Sequence, residues 1–129
     1  MCARLPRGGT RAMNGRSRPA TALMAVKLTH TAVWCFFVAC ILGIPIAAVR
    51  MDFRTAVLLI SLVTAECAVL GLNRGRCPLT DLAGRFTEER ADNFDIYLPL
   101  WLARYNKEIF GTLFAAVCLF VLVQWWFTR

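Results

Sequence analysis

Three uninterrupted apolar runs organise the sequence: 31–49 (TAVWCFFVACILGIPIAAV), 55–72 (TAVLLISLVTAECAVLGL) and 109–127 (IFGTLFAAVCLFVLVQWWF). As a helix, each is long enough to cross roughly 30 Å of hydrocarbon. None alternates apolar and polar residues with the period of two that a barrel strand requires, and a spanning segment must satisfy its own backbone hydrogen bonds. The pattern therefore predicts an all-α, integral-membrane three-helix bundle. A polar stretch without periodicity, 1–26, precedes it and is rich in Arg, Gly and Ser, a composition expected to be disordered. Met13 and Met24 are possible alternative starts within that stretch. Residues 27–129 read as a single transmembrane domain.

Between the second and third runs lies a 36-residue insert with a pattern of its own. Pro78 suits the first turn of a helix, and Asp81 lies favourably near its N-terminus. Leu79, Leu82, Ala83 and Phe86 recur at helical spacing, opposite Arg85, Glu88, Glu89 and Asp92. This predicts an amphipathic helix over 78–92, lying on the membrane surface or capping the bundle. The following FDIYLPLWLARYN has too short an apolar run to span, and its Tyr97, Pro99, Trp101 and Tyr105 predict an interfacial turn. Trp34, Trp125 and Trp126 mark membrane boundaries in the same reading.

Charge adds an orientation. Arg4, Arg7, Arg11, Arg16, Arg18 and Lys27 precede the first run, and Arg74, Arg76, Arg85, Arg90, Arg104 and Lys107 lie between the second and third. Only Arg50, Arg54 and Arg129 fall elsewhere. Positively charged loops stay in the cytoplasm, so the N-terminus and the insert are expected inside and the C-terminus outside. The net charge of +7 is thereby accounted for without nucleic acid, for which no aromatic-interleaved basic motif is present. Among the six cysteines there is no C-x-x-C, and Cys35, Cys40, Cys67 and Cys118 sit inside apolar runs, so no redox pair is implied.

Helices associate in lipid through close approach at small residues. The spacing nominates Cys35, Ala39 and Gly43 on the first span, Ser61, Ala65 and Ala68 on the second, and Gly111 and Ala115 on the third. Glu66, the one ionisable residue within the runs, falls about 160° away from the small-residue side of its helix. Exposure to lipid would cost it several kcal/mol, so it is expected to face protein or a wet cavity, with Thr112 as a polar neighbour at similar depth. His30, Cys77, Pro78, Thr80, Asp95 and Tyr97 are candidates for the cytoplasmic mouth above it.

Cys77-Pro78-Leu79-Thr80, following an acid-containing second span and preceding Phe94 to Leu98 (FDIYL), resembles a family of small bacterial integral-membrane proteins of unknown function marked by a CPLT motif. The resemblance covers about 27–126 and includes His30 and Glu66. That family tends to place its acid nearer the Cys-Pro and a His beside the later Tyr, which is not so here. The resemblance implies a location in the inner membrane of a bacterium and no particular activity.

With a single His, the chain offers no metal-ligand set at recognised spacing, and no cofactor is implied. Cys77 has charge nearby in Arg74 and Arg76, but no general base is apparent in the sequence. The first expectation is thus a non-enzymatic membrane subunit, accessory or assembly factor, surrounded by the lipid bilayer and assembled as a homo-oligomer or within a larger complex. The alternatives are a carrier or binder of protons, quinones or lipid headgroups using Glu66, and a thiol-dependent membrane enzyme using Cys77.

Overall fold

The structure, a computed structural model, describes residues 17–129, and Cys2, Met13 and the leading basic stretch up to Arg16 lie outside the described residues. It is all-helical: α1 (Ser17–Val49), α2 (Phe53–Leu72), the short α3 (Pro78–Ala83) and α4 (Leu100–Thr128), with no strand among the described residues. Helices α1, α2 and α4 are long and apolar enough to cross a membrane, which makes this a multi-pass membrane protein. α2 runs back along α1, and α4 follows the direction of α1. The insert, the start of α1 and the start of α4 therefore share one end of the bundle.

Both outer helices are longer than the hydrophobic pattern predicts. α1 begins at Ser17, inside the stretch expected to lack structure, and continues through Pro45. At 1.5 Å per residue its 33 residues extend about 50 Å, well past one hydrocarbon thickness. α4 begins at Leu100, directly after Pro99, so the expected interfacial turn is in large part its first turns. The amphipathic helix is correspondingly shorter than expected, ending at Ala83 instead of reaching Asp92. Two local interactions account for that. Thr87 Oγ1 accepts the amide of Glu89, and the Arg90 guanidinium donates to the carbonyls of Thr87, Glu89 and Gly84, offering the backbone an alternative to helix.

Tight turns fix the hairpin. After α1, Met51 adopts a left-handed conformation (φ 60°), Asp52 N–H donates to Ala47 O (2.9 Å) and Met51 N–H to Ala48 O (3.0 Å), a Schellman end. Asp52 then caps α2 by accepting the Thr55 amide (3.1 Å), and the Thr55 side chain together with this amide holds its carboxyl below the usual range. α2 ends the same way, with Arg74 at φ 58° and Gly75 N–H donating to Leu70 O (2.6 Å).

The core differs in kind from the small-residue seams. Ile41, Ile44, Ala47 and Ala48 of α1 pack with Ala56 and Val63 of α2 and with Val117 and Val121 of α4, Ile44 being fully enclosed. Of the nominated packing residues only Gly43 serves inside the chain: a Cβ there would sit 3.2 Å from Leu59 Cδ1. Cys35, Ala39, Ser61, Ala65, Ala68 and Ala115 are exposed on the outer surface, and Gly111, also exposed, borders the space between the helices. Association in lipid draws on van der Waals contact, which larger side chains supply in greater number per residue, so interlocked Ile, Val and Phe can replace backbone proximity.

Candidate functional site

The insert returns to α1 through one buried residue. Asp95, 5% exposed, is the buried charged residue of the described chain, and Ile96 beside it is also buried. His30 Nδ1–H is shared between the Asp95 carbonyl oxygen (3.2 Å) and its carboxylate Oδ2 (3.1 Å). Thr80 Oγ1–H, from α3, donates to the same Oδ2. Burial alone would raise the Asp95 carboxyl, but the hydrogen bonds from His30 and Thr80 outweigh it and hold the group below its ordinary value. At the next residue of α1, Thr31 Oγ1–H donates to Lys27 O (2.8 Å) and Oγ1 accepts the Tyr97 amide (3.1 Å), while Lys27 Nζ lies over the Tyr97 ring. FDIYL is thus docked on the first helix through Asp95 and Tyr97.

Cys77, at the N-cap of α3, lies beside the His30 ring and interacts electrostatically with it. Four of the sequence candidates, His30, Cys77, Thr80 and Asp95, therefore meet in one cluster. Pro78 and Tyr97 do not join it: Pro78 starts α3 with its ring exposed, and Tyr97 contributes its amide while its ring stays on the surface.

Below the cluster a cavity of about 400 Å³ opens between α1, α2 and α4. That is within the roughly 300–1,000 Å³ usual for small-molecule sites. Its walls are apolar at depth, formed by Val38, Ile41, Val63 and Phe114 among others, and polar at the mouth, where His30, Cys77, Asp92, Asp95, Asn106 and Lys107 converge. Glu66 stands on the wall, half-buried, and no hydrogen bond or ion pair joins it to another described residue. Its expected neighbour Thr112 is exposed on α4 and does not line this space. A rotation of that helix brings Phe110 and Phe114 inward instead.

Some contributors carried no marker in the sequence. Trp34, expected at the membrane boundary, points inward: its Nε1–H donates to Asn106 Oδ1 (2.8 Å) and its ring meets Phe110 edge-on at 5.4 Å. Lys107, read as a topogenic charge, reaches the mouth, with Nζ 3.3 Å from where a Cβ on Gly75 would lie. Asp92 pairs with Arg104 (2.7 Å), an exposed bridge of little energetic weight. Gly75 also needs its φ of +76°, so Gly75→Ala is expected to lower stability by about 1–2 kcal/mol through backbone strain. Thermal unfolding in detergent measures this, and an unchanged midpoint would refute it.

Fold and site together define a multi-pass membrane protein whose helices enclose a ligand-sized space with a polar mouth. No family model, curated protein or solved structure matches the chain.

Proposed function

We propose that the protein binds a lipid-like amphiphile, its chain between the helices and its polar group at the mouth beside Glu66. The observation that carries this reading is the carboxylate of Glu66, on the wall of a largely apolar cavity and without a partner among the described residues. A carboxylate at such depth is expensive unless something satisfies it. The sparse packing between α2 and α4, beside Gly111, provides a route from the bilayer. The distribution of Lys and Arg supports an orientation with the mouth on the cytoplasmic side of the inner membrane and the C-terminus outside. In that orientation Cys77 reacts with a membrane-impermeant maleimide only from the inside.

The test is lipid retention by native mass spectrometry of the purified chain. Glu66→Gln, which still offers hydrogen bonds, is expected to keep the ligand within about threefold. Glu66→Leu is expected to lose about tenfold in affinity, the equivalent of roughly 1.4 kcal/mol for one hydrogen bond. Equal retention in both variants would remove Glu66 from the site.

A second reading, a subunit of a homo-oligomer or larger membrane complex, is supported by the outward small-residue faces of all three long helices. The same spectra report it as masses above that of one chain. Neither reading calls on a cofactor or nucleic acid.

A further inference from the structure

We propose that Cys77 is a nucleophile that accepts a long-chain acyl group from an oxygen ester or thioester held in the cavity, with His30 as its base and Asp95 as a positioning residue. This rests on the amphiphile-binding reading above and adds chemistry to it. The sequence offered no base for Cys77 because His30 is 47 positions away in it. The fold brings the two side by side at one cavity mouth, and Asp95 holds Nδ1 of the ring through two acceptors. Nucleophile, base and a third group orienting the base are the parts of the cysteine and serine acyl-transfer sites. Thr80 in turn fixes Asp95, so the ring is held by a bonded chain from α1 through the insert to α3.

The surroundings suit acyl transfer. His30, Cys77 and Asp95 line the mouth of a cavity whose depth is apolar, which puts an acyl chain below and its carbonyl carbon at the level of the thiol. Asn106 faces the same space, and because its Oδ1 accepts from Trp34, its amide N–H groups are directed elsewhere and remain free to donate. With the Lys107 ammonium they are the donors available to a carbonyl oxygen becoming an oxyanion. In the step, the Cys77 sulfur, its proton already held on His30 as a thiolate–imidazolium pair, forms a bond to the acyl carbon. The tetrahedral intermediate then collapses with cleavage of the C–O or C–S bond, and the leaving alcohol or thiol receives the proton from His30. An acyl-S-Cys77 thioester and the freed alcohol or thiol are the products, with no change in oxidation state.

The experiment incubates the full chain in detergent with p-nitrophenyl palmitate in one arm, a diacyl phospholipid in a second and palmitoyl-coenzyme A in a third, then maps adducts by peptide mass spectrometry. Wild type is expected to gain one hydroxylamine-labile palmitoyl group on Cys77 from the activated ester and from either the phospholipid or the thioester, which identifies the donor class. Cys77→Ser is expected to show no thioester there. His30→Gln is expected to slow adduct formation at least tenfold. Thr31→Val, which loosens the same docked segment by removing the acceptor of the Tyr97 amide, is expected to leave the rate within twofold. No adduct on wild-type Cys77 from any donor, the same rate in His30→Gln, or equal slowing in Thr31→Val would each overturn the proposal. Binding of a fluorescent fatty acid is measured on the same samples. Binding without an adduct defeats the acyl transfer alone, whereas absence of binding defeats the amphiphile reading as well.

Discussion

Replacing Asp95 with alanine is expected to release the 84–99 segment from the first helix and to lower stability by about 3 kcal/mol. The magnitude follows from burial: deleting one partner of a buried, hydrogen-bonded charged group leaves the others desolvated and unpaired. Here Thr80 Oγ1–H loses its acceptor and His30 Nδ1–H keeps only the backbone carbonyl of residue 95, and the carboxylate they surround is almost fully enclosed. Asparagine at the same position keeps one carbonyl acceptor and is expected to lose about half as much. Unfolding in detergent measures the loss, and limited proteolysis within 84–99 reports the release directly. The pH dependence has a definite sign. Because the folded carboxyl titrates below its ordinary value, its contribution is fully present above the unfolded carboxylate pKa of about 3.9 and is lost as pH falls through the lower folded value. The acid-side loss of stability in wild type is therefore expected to be shallower in Asp95→Ala.

Gly111→Trp is expected to reduce retention of an amphiphile at least tenfold while leaving the helices packed. Gly111 lines the cavity on α4, and nothing lies within 4 Å of where its Cβ would be, so an indole there enters open space at the α2–α4 seam. Removing glycine from a helix interior is itself favourable by a few tenths of a kcal/mol or more, which makes global unfolding an improbable cause of lost binding. Native mass spectrometry gives retention and unfolding gives integrity. Undiminished retention with an intact fold would mean that the ligand does not occupy this seam.

The hydrophobic pattern was sufficient for the three long helices, because runs of about 20 apolar residues leave few alternatives. It was insufficient for their ends. The first turns of α1 and α4 lie beyond the apolar runs and carry Arg18, Lys27, Arg104 and Lys107, whose helicity comes from continuation of an existing helix and from docking of the insert. Glu66 was legible as a residue needing shelter, since its position opposite the small-residue side follows from the helical period alone. Which neighbours shelter it was not, because helix rotation depends on which large side chains interlock; Phe110 and Phe114 turn inward and carry Thr112 to the surface. His30, Cys77, Thr80 and Asp95 were each nominated by type and location. Their meeting depends on a segment that bends back after Gly84 by side-chain-to-backbone bonds, a path that hydrophobic periodicity does not encode.

The most direct measurement of the central claim, that Glu66 faces a space an amphiphile occupies, is labelling of the chain with a hydrophobic carbodiimide with and without added palmitate. The account predicts modification at Glu66 that palmitate suppresses at least fivefold, with labelling of other carboxyls unaffected. Labelling of Glu66 that palmitate leaves unchanged, or no labelling of it under either condition, would contradict the account.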